Sequence, residues 1–221
     1  MKQIADDVHL ITGFPAYAIN AYLVGDVLVD AMTRRDRRRI GRELRGHEVR
    51  LHVLTHAHPD HQGASHALCT ERGLPLWVGE ADVPATEDAA LIPQLQPDRV
   101  INRLSAWYFA GPGHPVDRAL REGDEVADFT VLDTPGHSAG HISLWRERDR
   151  LLIVGDVLNN QNPLTGLPRG LREPPTFFTP DPARNRESIR RLGELEPATV
   201  LFGHGPPHRD AAAFAAFCRS V

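Results

Sequence analysis

The segment Thr55-His56-Ala57-His58-Pro59-Asp60-His61 packs three imidazoles and one carboxylate into the six residues from His56 to His61. It follows the run Val49-Arg50-Leu51-His52-Val53-Leu54, which reads as a buried strand, so the cluster sits where a strand gives way to a loop. Neutral imidazole and carboxylate suit borderline divalent metals such as zinc, iron or manganese. His56 and His58 can converge on one ion, leaving Asp60 and His61 to serve a second. A polar loop that happens to be rich in histidine is the bland alternative, in a chain with 12 His among 221 residues. It accounts for any one pair but poorly for four ligand types at this spacing.

Three further positions follow the same plan. Thr134-Pro135-Gly136-His137-Ser138-Ala139-Gly140-His141 comes after the strand-like Thr130-Val131-Leu132-Asp133. Leu151-Leu152-Ile153-Val154-Gly155-Asp156 is an apolar run ending in a carboxylate, and Val200-Leu201-Phe202-Gly203-His204-Gly205 ends in a histidine between glycines. Each candidate ligand lies just beyond a short apolar run, with glycines that permit tight turns and close backbone approach. A rigid scaffold presents side chains from loops to a shared site in this way.

The ordered set His-x-His-x-Asp-His, Gly-His, Gly-Asp and Gly-His resembles the metallo-β-lactamase-fold hydrolase superfamily, over about Val8 to Gly205. The resemblance implies His56, His58 and His137 on one metal ion, Asp60, His61 and His204 on the other, and Asp156 bridging both. Asp30, which ends Val27-Leu28-Val29-Asp30, matches a buried aspartate that supports the metal loop. His141 matches a histidine that is not itself a ligand, so a hydrogen-bonding role behind the ligands is expected. The implied cofactor is a pair of divalent ions, zinc first, with iron or manganese as alternatives.

Composition is consistent with a small-molecule enzyme. The formal charge is 25 − 29 = −4, which offers no general basic surface to nucleic acid. The stretch Arg34-Arg35-Asp36-Arg37-Arg38-Arg39 is the exception and reads as the solvated face of a helix. Cys69 and Cys218 are too few for a disulfide framework, and Cys69 is expected as a buried free thiol. The acidic start Met1 to Asp7 lacks the apolar core of a signal peptide, and no run has the length of a membrane span. A cytoplasmic enzyme without nucleic-acid or membrane partners is expected, with a homodimer as one possible assembly.

A pass along the chain gives strands at Val8 to Thr12, Ala18 to Val24 and Val27 to Asp30, then a helix from Arg35 to Arg45. After the strand into His56 come a helix over Gln62 to Arg72 and a strand over Pro75 to Val78. The second half has strands near Thr130 to Asp133, His141 to Arg146, Leu151 to Val154 and Thr199 to Phe202, with helices over Pro182 to Leu195 and Asp210 to Arg219. The pattern alone predicts α/β or α+β. The resemblance narrows this to a four-layer αββα sandwich, two mixed β-sheets flanked by helices, formed as one domain over residues 1–221.

Two segments read as irregular, and long loops in a compact domain are commonly lids or binding loops. Pro97 to Val116 carries Trp107-Tyr108-Phe109, for which a pocket lining and an outer-core or dimer contact stay equally open. Asn159 to Pro182 carries Leu164, Leu167, Leu171, Phe177 and Phe178 and starts just after Asp156. Phe177 and Phe178 are therefore expected to bind substrate. His52 is expected to be a satisfied histidine of a strand, and His66 is not expected to aim at the metals. His9, His47, His114 and His208 carry no spacing argument.

The implied chemistry is attack by a metal-bridging hydroxide on a carbonyl, with one ion polarising the carbonyl oxygen. Asp60 is the expected catalytic carboxylate, orienting the water or carrying a proton. Ser138 and Ser143 lack the surroundings of a nucleophilic serine. Within the superfamily the motifs look most like the glyoxalase-II-like thioesterases, although the chain ends soon after His204, without the helical domain that a full glyoxalase II uses for glutathione. A true zinc β-lactamase is disfavoured by the bridging Asp156 and the lack of a secretion signal. A quorum-signal lactonase and a mononuclear-iron persulfide dioxygenase are the alternatives.

Overall fold

A computed structural model describes residues 1–161 and 170–221. The first sheet holds β1 (Lys2–Ala5), β2 (Val8–Thr12), β3 (Asn20–Val24), β4 (Val27–Val29), β5 (Leu51–Leu54), β6 (Leu76–Gly79) and β7 (Arg118–Leu120) in sequential order. Its first four strands are antiparallel, and β4 to β7 are parallel. The second sheet runs β12 (Thr199–Leu201), β11 (Leu151–Ile153), β10 (Ile142–Arg146), β9 (Phe129–Asp133) and β8 (Glu125–Val126), antiparallel except for the parallel pair β11 and β12. Both sheets are mixed and helices flank them, as the αββα expectation requires.

The period-2 alternation of strand side chains separates the layers. Tyr22, Val24, Val29 and Val53 of the first sheet meet Phe129, Val131, Leu144 and Ile153 of the second in one central cluster. The alternate residues Ala21, Leu23 and Leu28 face outward onto Ile40, Leu44 and Leu68, from the neighbourhood of α1 (Arg37–Glu43) and α3 (Ser65–Arg72). On the far side Leu152, Val200 and Phe202 pack on Ile189 and Leu192 of α6 (Pro182–Glu194) and Phe214 of α7 (Ala211–Ser220). Strands buried on both faces explain why the runs read as continuously apolar rather than alternating with polar residues.

Two sequence expectations change. The helix expected over Gln62 to Arg72 is split into α2 (Pro59–Gln62) and α3, with Gly63 between them. A Cβ at Gly63 would lie 2.3 Å from Arg34 N and 2.6 Å from Phe109 O, so two other chain segments crowd the break. The segment from Pro97 to Val116, expected to be irregular, contains α5 (Val100–Phe109). Its buried residues are Asn102 and Ala106, while most of its large apolar residues face solvent, so its apolar stripe, at helical spacing, points away from the core. Between β6 and α5 lie a short α4 (Val83–Glu87) and a 3-10 stretch, Ala89–Leu95. Among the described residues no helix is long and apolar enough to cross a membrane. Cys69 and Cys218 are free and buried.

Candidate metal centre

The residues singled out by spacing come together at the carboxyl ends of β4, β5, β9, β11 and β12. Three groups of side chains bring their ligand atoms within 4.8 Å of one another: His56, His58 and His137; His56, His61 and Asp156; and Asp60, His61 and His204. The Asp156 carboxylate lies between the sets. Its Oδ1 is 3.5 Å from His61 Nε2, and its Oδ2 is 3.6 Å from His137 Nε2 and 3.0 Å from His204 Nε2. Asp60 Oδ2 is 3.3 Å from His204 Nε2.

One ring nitrogen of each imidazole is committed to a protein partner, which leaves the other for the centre. Asp30 does this for two histidines. Its Oδ2 accepts from His61 Nδ1 at 2.9 Å, and it accepts from the Thr55 hydroxyl, which in turn faces His56 Nδ1 at 3.0 Å. Asp30 also accepts the Thr55 backbone N–H at 2.8 Å, so it fixes the loop as well as the rings. His58 Nε2 approaches Leu95 O at 3.4 Å, and His137 Nδ1 donates to Thr179 Oγ1 at 3.1 Å. His204 Nδ1 donates to Ala18 O. Such partners set tautomer and ring orientation in metal sites.

Among the described residues, His56 Nε2, His61 Nε2 and Asp156 Oδ1 are buried with no hydrogen-bond partner. Unpaired buried polar atoms are costly, and three converging on one point fit a divalent ion. The electrostatics agree. Burial drives His56 and His137 well below the ordinary imidazole range and lowers His58, so their lone pairs are free. Burial opposes charge on His61 and His204 too, but Asp156 with Asp30 or Asp60 outweighs it, lifting His61 well above the usual range and His204 to about 10. Against their own burial, Asp156 and Asp60 are held below the usual carboxylate range by His204 and His61. The carboxylates thus favour positive charge beside them, which a metal cation would supply in place of protons on both imidazoles.

His141 stands apart. Its Nε2 accepts the Asp156 backbone N–H at 3.1 Å and its Nδ1 pairs with Thr134 Oγ1 at 3.0 Å, so neither nitrogen is left for an ion. Burial lowers it to about 3, which keeps that acceptor unprotonated. His52 is satisfied by Leu28 O at 2.9 Å and Ser65 Oγ at 2.8 Å, and His66 pairs with Gly113 O at 2.9 Å, away from the centre.

The centre opens into a cavity of about 380 Å³ lined by His58, Asp60, His137, Asp156 and His204, with Phe14, Ile19, Phe109 and Phe178 as its apolar wall. Phe178 is placed as expected of a pocket residue, but Phe177 is not among the lining residues. Phe177 packs on Phe178 with ring centroids 4.4 Å apart, and its carbonyl accepts from Asn102 Nδ2, so it supports the wall from behind. Of the expected trio on α5, Phe109 lines the cavity while Trp107 and Tyr108 are exposed. Leu164 and Leu167 lie outside the described residues, and Leu171 packs against the outer core of the second sheet.

Several residues went unrecognised in the sequence. Asp82, fully buried, accepts from Ala57 N at 2.9 Å, Ser138 Oγ at 2.7 Å and Gly140 N at 2.7 Å, tying the first histidine loop to the second. A carboxylate shortly after the strand Leu76–Gly79, in the manner of Asp30 and Asp156, was the available signal. Asn20 and Tyr22 reach from β3 to the His204 loop: Asn20 Nδ2 donates to Phe202 O at 2.9 Å and Gly205 O at 2.8 Å, and the Tyr22 hydroxyl to Phe202 O at 2.7 Å. Gln96 Oε1 and Asn159 Oδ1 belong to cavity-lining residues and are buried without a partner among the described residues.

The sequence profile of the metallo-beta-lactamase superfamily matches residues 15–204, and the chain belongs to that superfamily. It is 32% identical over 178 residues to the probable metallo-hydrolase YflN of Bacillus subtilis (strain 168), covering 73% of this chain and 66% of that protein. It is 28% identical over 154 residues to a hydroxyacylglutathione hydrolase of Bdellovibrio bacteriovorus, covering 68% of this chain and 46% of that protein. The chain therefore spans just under two thirds of the first relative's length and under half of the second's. Among solved structures it is similar to TTHA1623 in a di-iron-bound form, with a TM-score of 0.68 and 30% identity over 91% of this chain and 94% of that one. The BLEG-1 B3 metallo-beta-lactamase aligns with a TM-score of 0.68 and 25% identity over 91% of this chain and 93% of that one. The first relatives carry the names of a probable metallo-hydrolase and a hydroxyacylglutathione hydrolase.

Proposed function

We propose that the protein is a dinuclear metallohydrolase that cleaves a thioester or related carboxylic ester of a small molecule. The observation that carries this reading is the convergence of the unpartnered His56 Nε2, His61 Nε2 and Asp156 Oδ1 beside two further ligand groups, at the floor of a half-apolar cavity. His56, His58 and His137 would hold one ion, Asp60, His61 and His204 the other, and Asp156 both. Two divalent ions held there would supply a nucleophilic water near neutral pH and would polarise a carbonyl.

The chain's own residues do the rest. Asp60, half-buried and lining the cavity, stays ionised and orients the attacking water or takes its proton. Phe178, Phe109 and Ile19 receive an acyl or other apolar group and exclude water from it. Gln96 Oε1 and Asn159 Oδ1 accept hydrogen bonds from substrate donors, which fixes orientation. The hydroxyacylglutathione hydrolase named among the relatives supports the thioester class, and the di-iron form of TTHA1623 supports a two-ion centre. Zinc is the proposed native metal, with iron the alternative that the TTHA1623 structure favours.

The test is elemental analysis together with a hydrolysis screen over thioesters, lactones and phosphodiesters, with zinc, iron and manganese supplied in turn. Two ions per chain and preferred turnover of thioesters or esters are expected. A single iron with oxygen consumption would assign the chain to oxygenation instead, and lactone preference would move it to the lactonases.

A further inference from the structure

α5 carries an apolar stripe that faces away from the protein. Val100, Ile101, Leu104, Trp107 and Tyr108 recur at the spacing of one helix face and are exposed, Trp107 at 71% and Leu104 at 55%. Phe14, exposed at 84%, also lines the cavity mouth. The opposite side of α5 supplies Ser105 and Phe109 to that cavity, so one helix separates it from the stripe. Contiguous exposed apolar surface of this kind marks an interaction site.

Arginines border the stripe. Arg35 stacks its guanidinium 3.7 Å from the centre of the Tyr108 ring, and the Arg34 backbone N–H bonds Phe109 O at 2.9 Å. Arg39 donates to Thr12 O at 3.2 Å, two residues from Phe14. Arg99 and Arg103 are exposed at the start and along the face of α5. The acidic groups among them are Asp98, 3.7 Å from Arg103 Nε, and Asp36, 3.4 Å from Arg39 Nε. With Arg34 placed by its backbone alone, the side chains of Arg35, Arg39, Arg99 and Arg103 against two aspartates make a local positive face on a chain whose formal charge is −4.

We propose that this face docks the protein on an anionic lipid surface, with Leu104, Trp107 and Phe14 entering the headgroup boundary and the arginines meeting lipid phosphates. Large apolar side chains flanked by arginine on an exposed helix are the composition of an interfacial element, and tryptophan and tyrosine suit the boundary between water and acyl chains. Charge selects this occupant over a second copy of the chain. A two-fold interface is self-complementary, so it would set this arginine-rich face against its own image with only Asp36 and Asp98 to offset it. A peripheral contact needs no spanning segment, so it revises the sequence expectation of no membrane partner, which rested on the lack of one. Docked this way, the cavity mouth opens onto the bilayer, and Asn102, whose Nδ2 holds Phe177 O at 2.6 Å, links the docked helix to the wall that carries Phe178.

The test is co-sedimentation of the full zinc-loaded chain with phosphatidylcholine vesicles, with or without about one third phosphatidylglycerol. Binding about tenfold tighter to the anionic vesicles is expected, weakening as sodium chloride rises from about 0.1 to about 0.5 M. A Leu104→Ser/Trp107→Ser variant should fall to the level seen with neutral vesicles, and Arg35→Gln/Arg103→Gln should lose the anionic preference. Both should keep parental Tm and metal content, readouts independent of any substrate. Absence of pelleting, or equal pelleting with both vesicle types, would overturn the proposal. So would light scattering that finds a dimer which the Leu104→Ser/Trp107→Ser variant converts to monomer, since the stripe would then belong to a second copy.

Discussion

Replacing Gly203 with alanine presses on Asp156, and less closely on His61, without substituting either proposed ligand. A Cβ at Gly203 would lie 2.0 Å from Asp156 Oδ1 and 2.6 Å from His61 Cε1, whereas real Cβ contacts essentially never fall below 3.0 Å. The carboxylate must therefore retreat by at least 3.0 − 2.0 = 1.0 Å. Functional constellations tolerate displacements of about 0.5 Å, and a misplacement of about 1 Å can cost roughly 10²-fold in rate. Gly203 is not in the left-handed backbone region, so alanine adds no conformational strain and the effect is steric. Overpacking of this kind costs about 1–3 kcal/mol, or a Tm lowered by about 2–12 °C in a chain of this size. Gly203→Ala should thus stay folded by circular dichroism, hold less metal by elemental analysis, and lose about 10²-fold in kcat/KM. A variant with full metal content and unchanged kcat/KM would refute the placement of Asp156 at the shared position.

Asp156→Ala should abolish turnover and lower metal content, whereas His141→Ala, which removes the acceptor for the Asp156 backbone N–H and the partner of the Thr134 hydroxyl but no proposed ligand, should cost about 10–100-fold in activity; equal metal loss in the two would erase the distinction between ligand and support. Phe178→Ala should raise KM about tenfold for substrates with an apolar acyl group, from loss of roughly 1.5 kcal/mol of burial, with metal content unchanged, and identical kinetics across an acyl-length series would count against a pocket role. Burial holds His52 at about 4, against an ordinary value near 6.5, so the unfolded chain binds the extra proton between those values and stability falls as pH drops through them. That contribution is about 2 kcal/mol between pH 7 and pH 5, so denaturation of the metal-loaded His52→Gln variant should show a correspondingly weaker pH dependence than the parent, and parallel slopes would sink the assignment.

The strands and the candidate ligand positions were legible for one reason. β4, β5, β11 and β12 are short runs buried on both faces, and the polar residue that follows each is where the chain leaves the core. Asp30, His56, Asp156 and His204 occupy those exits. Asp82 follows β6 in a similar way but stood out less, because no histidine beside it suggested a metal. The hydrogen bonds that orient the rings were not legible. Thr55, Thr179 and Leu95 O act through geometry set by folding, and nothing in their sequence neighbourhood distinguishes them from other hydroxyls and carbonyls. α5 was missed although Val100, Ile101, Leu104, Trp107 and Tyr108 recur at helical spacing, because Pro97 and the run Gly111 to Pro115 around it read as loop; in the fold Asn102 and Ala106 face inward, and the stripe is available for another use.

The site end of the sandwich also concentrates features that would weaken a protein elsewhere. Asp30 and Met32 adopt φ of 60° and 55°, and Gly136, Gly155 and Gly205 take φ of 130°, 51° and 116°. Non-glycine residues in that region cost of order 1–3 kcal/mol each and persist where the surroundings over-determine them. At Asp30 the surroundings are identifiable: its backbone N–H is fixed to Val53 O at 2.9 Å, and its carboxylate is held by the Thr55 backbone N–H, the Thr55 hydroxyl and His61. The unusual turn is what lets a residue at the end of β4 reach sideways to the end of β5. The central cluster between the sheets carries the stability that tolerates it, and the strained turn holds His56 and His61 in the orientations that the proposed metal pair would require.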